Sequence, residues 1–196
     1  HDFLFFEAKK LINKLIGGKE FLGAVNLALY ILDVKQTSEK NPTSHAVEGY
    51  MDEYFYSEIV KITSKLPYQE LPPFIKGQLV ALNNAINLST NKSNGYFNII
   101  LNYIGNTDEP CHDIIVAIIY SIRDLTIQYL DALEKESADI AKELDDMFSR
   151  YNHYIFSRIK LYLYSRYPNN CKDKIQWVII EYFDDDDVER EYDILV

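Results

Sequence analysis

Apolar residues recur every three or four positions along most of the chain, which is the spacing of one face of an α-helix. The longest such stripe follows Pro110 and continues from Ile115 to Leu133. The pattern predicts about nine amphipathic helices. They cover residues 3–16, 19–34, 45–66, 74–88 and 96–104, and then run from Pro110 to Leu133, from Ser137 to Tyr151, from His153 to Tyr167 and from Asn170 to Tyr182.

Glycine, proline and short polar residues mark the predicted helix ends. Gly17 and Gly18 predict the end of the first helix, because glycine accepts backbone angles that other residues avoid. The adjacent Pro72 and Pro73 predict a rigid turn before the fourth helix. Ser137 is the predicted cap of the helix after the long one, and Asn170 with Asp173 is the predicted cap of the last complete helix.

Helices joined by short loops indicate an all-α fold, either a bundle or a degenerate α-solenoid. The whole of 1–196 reads as one helical region, with possible sub-units at 1–106 and 107–196. At the C-terminal end, the acidic run at 184–187 is followed by helical spacing up to Val196. This end has the features of a helix start, so we expect the chain to be a fragment of a longer protein.

Composition and charge exclude several classes of protein. Hydrophobic residues make up 47% of the chain, which argues against global disorder. The formal net charge of -10 disfavours a general nucleic-acid surface, since such surfaces rely on lysine and arginine. No apolar run is long enough to span a membrane. Only two cysteines are present, so no disulfide framework is predicted and a cytoplasmic location is expected.

One adjacent pair, His112-Asp113, resembles part of the metal constellation of the all-helical HD-type phosphohydrolases. Such a site would take its further ligands from His45 and from Asp124 or Asp131. The alternative is that Asp113 stabilises a helix N-terminus and that His112 is a surface residue. We favour this alternative, so no catalytic residue, metal or cofactor is predicted.

Cys171, at a predicted helix start, allows two interpretations. Its thiol is either more acidic than usual, because helix N-termini favour negative charge, or buried and idle. The second interpretation is favoured. Glycine-rich nucleotide-binding motifs and a nucleophile-elbow motif are absent from the sequence.

Aromatic and cationic residues alternate around the penultimate helix. Residues of these types anchor many protein interfaces and also stack on nucleic-acid bases. They are equally compatible with a core helix whose arginines reach solvent at its edges. We predict a core helix with one protein-facing ridge, formed by Arg150, Tyr154, Arg158, Tyr162 and Arg166.

The segment from Ile155 to Pro168, together with Phe183-Asp184-Asp185 and Arg190-Glu191-Tyr192, resembles the long helical region of large bacterial P-loop NTPases of the STAND class. Several members of that class serve in anti-phage defence. The segment Glu20–Leu29 is similar in character. The resemblance implies a helical sensor or scaffold segment of a longer protein, and it transfers no catalytic residue because no nucleotide-binding motif is present.

Three functions remain open from the sequence. The leading prediction is a non-catalytic helical module that contacts a protein partner or the rest of its parent chain. The second is a metal-dependent phosphohydrolase centred on His112-Asp113. The third is a small acidic protein that binds and masks a basic partner, which the net charge of -10 suggests.

Overall fold

Helices dominate the computed structural model, which describes residues 2–36, 47–49, 53–89, 104, 114–135 and 139–183. They account for 84% of the described residues, so the all-α prediction is confirmed. The helices are α1 (Asp2–Gly17), α2 (Phe21–Ile31), α3 (Glu53–Thr63), α4 (Leu71–Ser89), α5 (Ile114–Glu134), α6 (Ile140–Phe148), α7 (Tyr154–Arg166) and α8 (Pro168–Phe183).

A short antiparallel ribbon lies where the sequence predicted loop and helix. Its strands are β1 (Val34–Gln36) and β2 (Val47–Gly49), paired with Val34 opposite Gly49. The predicted helix over 45–66 is therefore wrong at its start, and α3 begins only at Glu53. Gly49 disfavours a helix there, and the pairing with β1 satisfies the strand's backbone groups instead.

The predicted rigid turn at Pro72 and Pro73 is also wrong. Both prolines lie in the first turn of α4, directly after a 3₁₀ turn at Tyr68–Glu70. The first turn of a helix has no internal partner for its N–H groups, so proline loses nothing there, and its fixed φ suits the helix. The helix consequently starts three residues earlier than the predicted 74.

The turn between α1 and α2 confirms the break predicted at Gly17 and Gly18. The N–H of Glu20 donates to the carbonyl of Leu15 at 2.8 Å, and the N–H of Lys19 donates to that of Ile16 at 3.0 Å. These two bonds form a Schellman motif. The residue with positive φ is Lys19, at 62°, and neither glycine adopts that conformation.

The caps of the last three helices differ from those predicted. Asp139 caps α6, with its side chain accepting from the N–H of Lys142 at 3.0 Å, whereas the predicted cap Ser137 lies outside the described residues. His153 caps α7 instead of joining it. Pro168 starts α8 two residues before the predicted Asn170, because proline fits the first helical position.

Two contacts show that α1 and α3 run in the same direction. The rings of Phe5 and Phe55 lie 4.0 Å apart, and the Lys9 ammonium is 2.6 Å from the Glu58 carboxylate. Positions advance together along both helices, as they do only in a parallel pair. Because the tight turn after Gly17 reverses the chain, α2 runs antiparallel to both.

The helix α4 follows α3 through a short turn, and the hydroxyl of Tyr56 donates to the side-chain oxygen of Gln78 across the two helices. Farther along, Gln128 of α5 donates to the carbonyl of Ser64, just beyond α3, at 2.8 Å.

One contiguous hydrophobic core runs from Phe5 in α1 to Cys171 in α8, with its most extensive packing between α4 and α5. Residues on both sides of the predicted boundary at 106/107 contribute to it, and the division into two sub-units stays a prediction. Of the predicted helix at 96–104, only Ile104 is described, and it is buried. None of the helices in the described ranges is long and apolar enough to cross a membrane.

Candidate interaction surface

Most of the residues proposed as metal ligands lie outside the described residues. His45, His112 and Asp113 all lie outside the described residues. Asp124 pairs with Arg123 at 2.6 Å, and Asp131 accepts a hydrogen bond from the hydroxyl of Tyr167 at 2.7 Å. Within the described ranges, no group of three or more His, Cys, Asp or Glu side chains is placed to hold a metal.

A cavity of about 190 Å³ lies between α3 and α5. Its walls are mainly apolar and aromatic, and the charged groups at its edge are already paired, Lys61 with Glu58 at 3.1 Å and Asp124 with Arg123. Among the described residues, no histidine or cysteine lines it. The lining residues are Tyr56, Ser57, Val60, Lys61, Ala117, Tyr120, Ser121 and Asp124.

The predicted ridge falls on one side of α7 and the turn before it. Arg150 and Arg166 are exposed at its two ends, whereas Tyr154, Arg158 and Tyr162 are half-buried between them. Tyr154 packs against the ring of His153 at 4.3 Å. The opposite side of the helix is core, formed by Ile155, Phe156, Ile159, Leu163 and Tyr164. Its tyrosines thus contribute to packing, and a binding role for the ridge stays a prediction.

A charge cluster around Asp145 ties α6, α7 and α8 together behind this ridge. Its carboxylate accepts from the hydroxyl of Tyr164 and pairs with Lys174 at 2.7 Å and Lys160 at 3.4 Å. Burial alone would raise the pKa of Asp145, but the hydrogen bonds from Lys174 and Tyr164 hold it below its ordinary value. The cluster has a structural role, because Tyr164, Lys160 and Lys174 all contact the carboxylate of Asp145.

Cys171 lies inside α8, where its side chain is buried. Burial, with the negative charge of Asp145 nearby, raises the pKa of its thiol to about 11. The shift is opposite to that of an acidic thiol, and the burial predicted by the second interpretation is confirmed. The other cysteine, Cys111, lies outside the described residues.

A close contact joins α2 and α4. Gly77 of α4 faces Leu29 of α2, and a Cβ built on Gly77 would lie only 2.4 Å from the Leu29 methyl groups. The absence of a side chain at Gly77 thus lets the two helices approach closely. Exposed stripes lie beside this line of contact, one on each helix, and other exposed apolar side chains lie on α1 and α3, at Leu4, Phe6, Leu11 and Tyr54.

Three exposed residues form the stripe on α2, at intervals of four. Leu22 is 70% exposed and Tyr30 is 80% exposed, and the exposed Asn26 lies between them. Leu22 lies about 20° from Leu29 around the helix axis, so the stripe begins beside the contact with α4. An exposed leucine alone is ordinary, but a tyrosine and a leucine on one stripe call for an explanation.

The stripe on α4 consists of Pro73, Val80 and Asn84, which lie within about 40° of one another around the helix axis. All three are exposed, Val80 by 50%. Both stripes border the line along which Gly77 meets Leu29. We call the two stripes together the α2–α4 face and define it by Leu22, Asn26, Tyr30, Pro73, Val80 and Asn84.

The α2–α4 face is nearly free of charge. The helix α2 contains no charged residue, and α4 contains only Lys76, at the edge of the face. Charged residues make up 26% of the whole chain, so two adjacent helices with a single charge between them stand apart. The sequence carried a signal for this face, namely apolar residues off the core stripe of an uncharged helix, but the pairing of α2 with α4 needed the structure.

Comparisons with known proteins give no relative. No family model matches the chain, and neither a curated protein nor a solved structure matches it significantly.

Proposed function

We propose that this chain is a non-catalytic helical module whose α2–α4 face binds a protein. The observation that carries the proposal is a face with exposed Leu22, Tyr30 and Val80 and without a charged residue among its six members. Depletion of charge combined with an exposed aromatic residue is what distinguishes the centre of a protein interface from ordinary surface.

The chemistry of the face also limits what binds there. Nucleic acid requires lysine or arginine to neutralise phosphates, and the face has none among its members. An aromatic ring and amide groups do suit another protein surface, where tyrosine commonly anchors the contact. The partner surface that matches this face is itself apolar, with hydroxyl and amide groups but without charge, because an unpaired charge buried there would be destabilising.

We also propose that this module is part of a larger protein. The parallel run of α1 and α3, with α2 running antiparallel to both, supports a degenerate helical-repeat array of paired helices. In such an array the exposed sides of successive helices build a binding surface. Together with the resemblance of the segment from Ile155 to Pro168, this supports a sensor or scaffold role within a large bacterial NTPase of the STAND class.

The test compares capture by variants of the whole chain. Immobilised wild-type protein, Tyr30→Asp and Asn152→Asp are each exposed to an extract of the source cells. Both substitutions add one negative charge at an exposed position, but Asn152 lies in the turn between α6 and α7, away from the face. We expect a protein that is retained by the wild type and by Asn152→Asp and is lost from Tyr30→Asp.

A fourth variant, Arg166→Glu, separates the α2–α4 face from the ridge on α7. Equal retention by Arg166→Glu and the wild type supports the proposal when Tyr30→Asp loses the partner. Retention by Tyr30→Asp with loss from Arg166→Glu would instead place the partner on the ridge and overturn the proposed face. Circular dichroism of each variant checks that the helices remain folded.

A further inference from the structure

The cavity between α3 and α5 is a second candidate site, separate from the α2–α4 face. Small side chains border it from both helices, namely Ser57 of α3 and Ala117 and Ser121 of α5. The exposed side chains of Lys61 and Asp124 lie at its edge, so the cavity opens to solvent there. Folded interiors leave few voids larger than a water molecule, whereas this cavity measures about 190 Å³. It therefore has room for a ligand.

A buried hydroxyl in the cavity wall has no partner. Ser121 is 2% exposed, and its hydroxyl makes no hydrogen bond with any of the described residues. Ser121 lies one helical turn from Ala117 and one from Asp124, and all three line the cavity, so it occupies the middle of the wall that α5 provides. A buried hydroxyl without a partner is destabilising, and a ligand with a hydrogen-bonding group would satisfy it.

Aromatic and apolar side chains form most of the remaining wall. Tyr56 is buried and Tyr120 is half-buried, and Val60 and Ala117 contribute methyl groups. The hydroxyl of Tyr56 donates to Gln78 of α4, which fixes the position of its ring. An apolar cavity of about 150 Å³ holds one benzene molecule. A cavity of about 190 Å³ therefore accommodates one aromatic ring with a small substituent.

The charges at the edge of the cavity are neutralised within the protein. Lys61 pairs with Glu58 at 3.1 Å, and Asp124 pairs with Arg123 at 2.6 Å. The guanidinium of Arg123 also lies over the ring of Tyr120, 4.5 Å from its centroid. A charged ligand would lose hydration on entry, and both charged residues that line the cavity already have a partner of opposite charge. The site therefore favours a neutral ligand.

We propose that the cavity between α3 and α5 binds a small neutral aromatic molecule that carries one hydroxyl or amide group. The ring of the ligand packs against Tyr56 and Tyr120, and its polar group forms a hydrogen bond with the hydroxyl of Ser121. This site goes beyond the proposed function, and failure of either proposal leaves the other unaffected. Phenol has the required size and chemistry, so it is the probe for the test.

An NMR titration of the full chain with phenol tests the proposal. We expect saturable changes in the amide chemical shifts of residues 56–61 and 117–124, with a dissociation constant on the order of 1 mM. Ala117→Leu adds methyl groups to the cavity wall, so it should abolish the saturable changes. Circular dichroism checks that this variant remains folded.

Ser121→Ala isolates the hydrogen bond. Toluene matches phenol in size but has no hydroxyl, so both ligands are titrated into both proteins. The ratio of the toluene dissociation constant to that of phenol should fall about threefold to tenfold in Ser121→Ala, because phenol loses its partner. Ser121→Ala removes an unsatisfied hydroxyl, so we expect it to fold like the wild type. The control Ser165→Ala, at an exposed position on α7, should leave the ratio unchanged.

Three results would overturn this proposal. Chemical shifts that do not saturate with phenol, or that saturate equally in a folded Ala117→Leu, would show that phenol does not bind in the cavity. An equal ratio in the wild type and Ser121→Ala would exclude Ser121 as the hydrogen-bonding partner, and this comparison holds even if Ala117→Leu fails to fold. Tighter binding of benzoate or benzylammonium than of phenol would mean that the site selects a charged ligand.

Discussion

At the scale of single residues, the carboxylate of Asp145 joins three helices. It lies on α6, and it holds Tyr164 and Lys160 of α7 and Lys174 of α8. Hydrogen bonds to a charged group contribute more than neutral ones, so loss of the carboxylate charge weakens the bonds from Tyr164 and from both lysines. The carboxylate therefore stabilises the meeting of three helices at one point.

Replacement of Asp145 by asparagine should destabilise the protein at neutral pH by about 1–3 kcal/mol. Because the folded state lowers the pKa of Asp145, its contribution is present above the unfolded pKa of about 3.9 and is lost as the pH falls through the folded value. The difference in unfolding free energy between wild type and Asp145→Asn should thus shrink on acidification below about pH 4.

Urea denaturation over a series of pH values measures this difference. Asp146→Asn is the matched control, since the neighbouring Asp146 is exposed and should show little change at any pH. A difference between wild type and Asp145→Asn that stays constant down to the acid limit would mean that the charge of Asp145 does not stabilise the fold.

The two interpretations of Cys171 show what the sequence lacks at this scale. Position near a helix start suggested an acidic thiol, but the direction of its pKa shift depends on burial and on Asp145, which is 26 positions away along the chain. Lys19 gives a second example: two adjacent glycines predicted where α1 ends, but the left-handed conformation falls on the residue after them. Local sequence indicated a helix end and a thiol near a helix start. Tertiary packing determines which residue takes the positive φ and in which direction the pKa of the thiol shifts.

At the scale of elements, the packing of α2 on α4 depends on a glycine. An alanine at Gly77 would gain about 1 kcal/mol of helix propensity, but its Cβ would overlap the Leu29 side chain. We therefore expect the effect of Gly77→Ala on stability to be more favourable by about 1 kcal/mol or more in a Leu29→Ala background than in the wild type.

A double-mutant cycle from denaturant unfolding of the four proteins measures this coupling. As a control, Gly17→Ala should show no coupling to Leu29→Ala, because nothing lies within 4 Å of a Cβ built on Gly17. Additive effects of Gly77→Ala and Leu29→Ala would mean that the two helices do not meet as closely as Gly77 and Leu29 indicate.

Helical periodicity predicted most of the elements and their buried sides. In α4, for example, the predicted inward residues Ile75, Leu79 and Leu82 are all fully buried. The errors lie at element ends, where Pro72 belongs to the first turn of a helix and Val47 joins a strand. These choices depend on partners, since a proline is acceptable only if its turn is the first of a helix and a short strand exists only if another pairs with it.

At the scale of the whole molecule, periodicity fails for a different reason. It identifies the stripe of each helix that is buried, but it does not say which helices lie side by side. Leu22 on α2 and Val80 on α4 are 58 positions apart along the chain, and the contact of Gly77 with Leu29 is what brings their helices together. The candidate interaction surface therefore required the structure.

The contiguous core predicts that the whole chain unfolds as one unit. Far-UV circular dichroism follows all helices, whereas fluorescence follows Trp177, the single tryptophan, which lies on α8. Because 1–106 and 107–196 share one core, the two signals should change at the same denaturant concentration. Independent sub-units would give separate transitions, with fluorescence following only the second part.

A substitution in the first part makes this prediction sharper. Leu82→Ala removes a fully buried side chain of α4 and should destabilise the protein by about 2–5 kcal/mol. If the core is cooperative, the fluorescence of Trp177 must report the same loss of stability, although Trp177 is 95 positions away along the chain. Val80→Ala, at an exposed position on the same helix, should shift neither signal appreciably. A Trp177 transition unaffected by Leu82→Ala would show that α8 and its neighbours fold independently of α4, and that the boundary at 106/107 separates two domains.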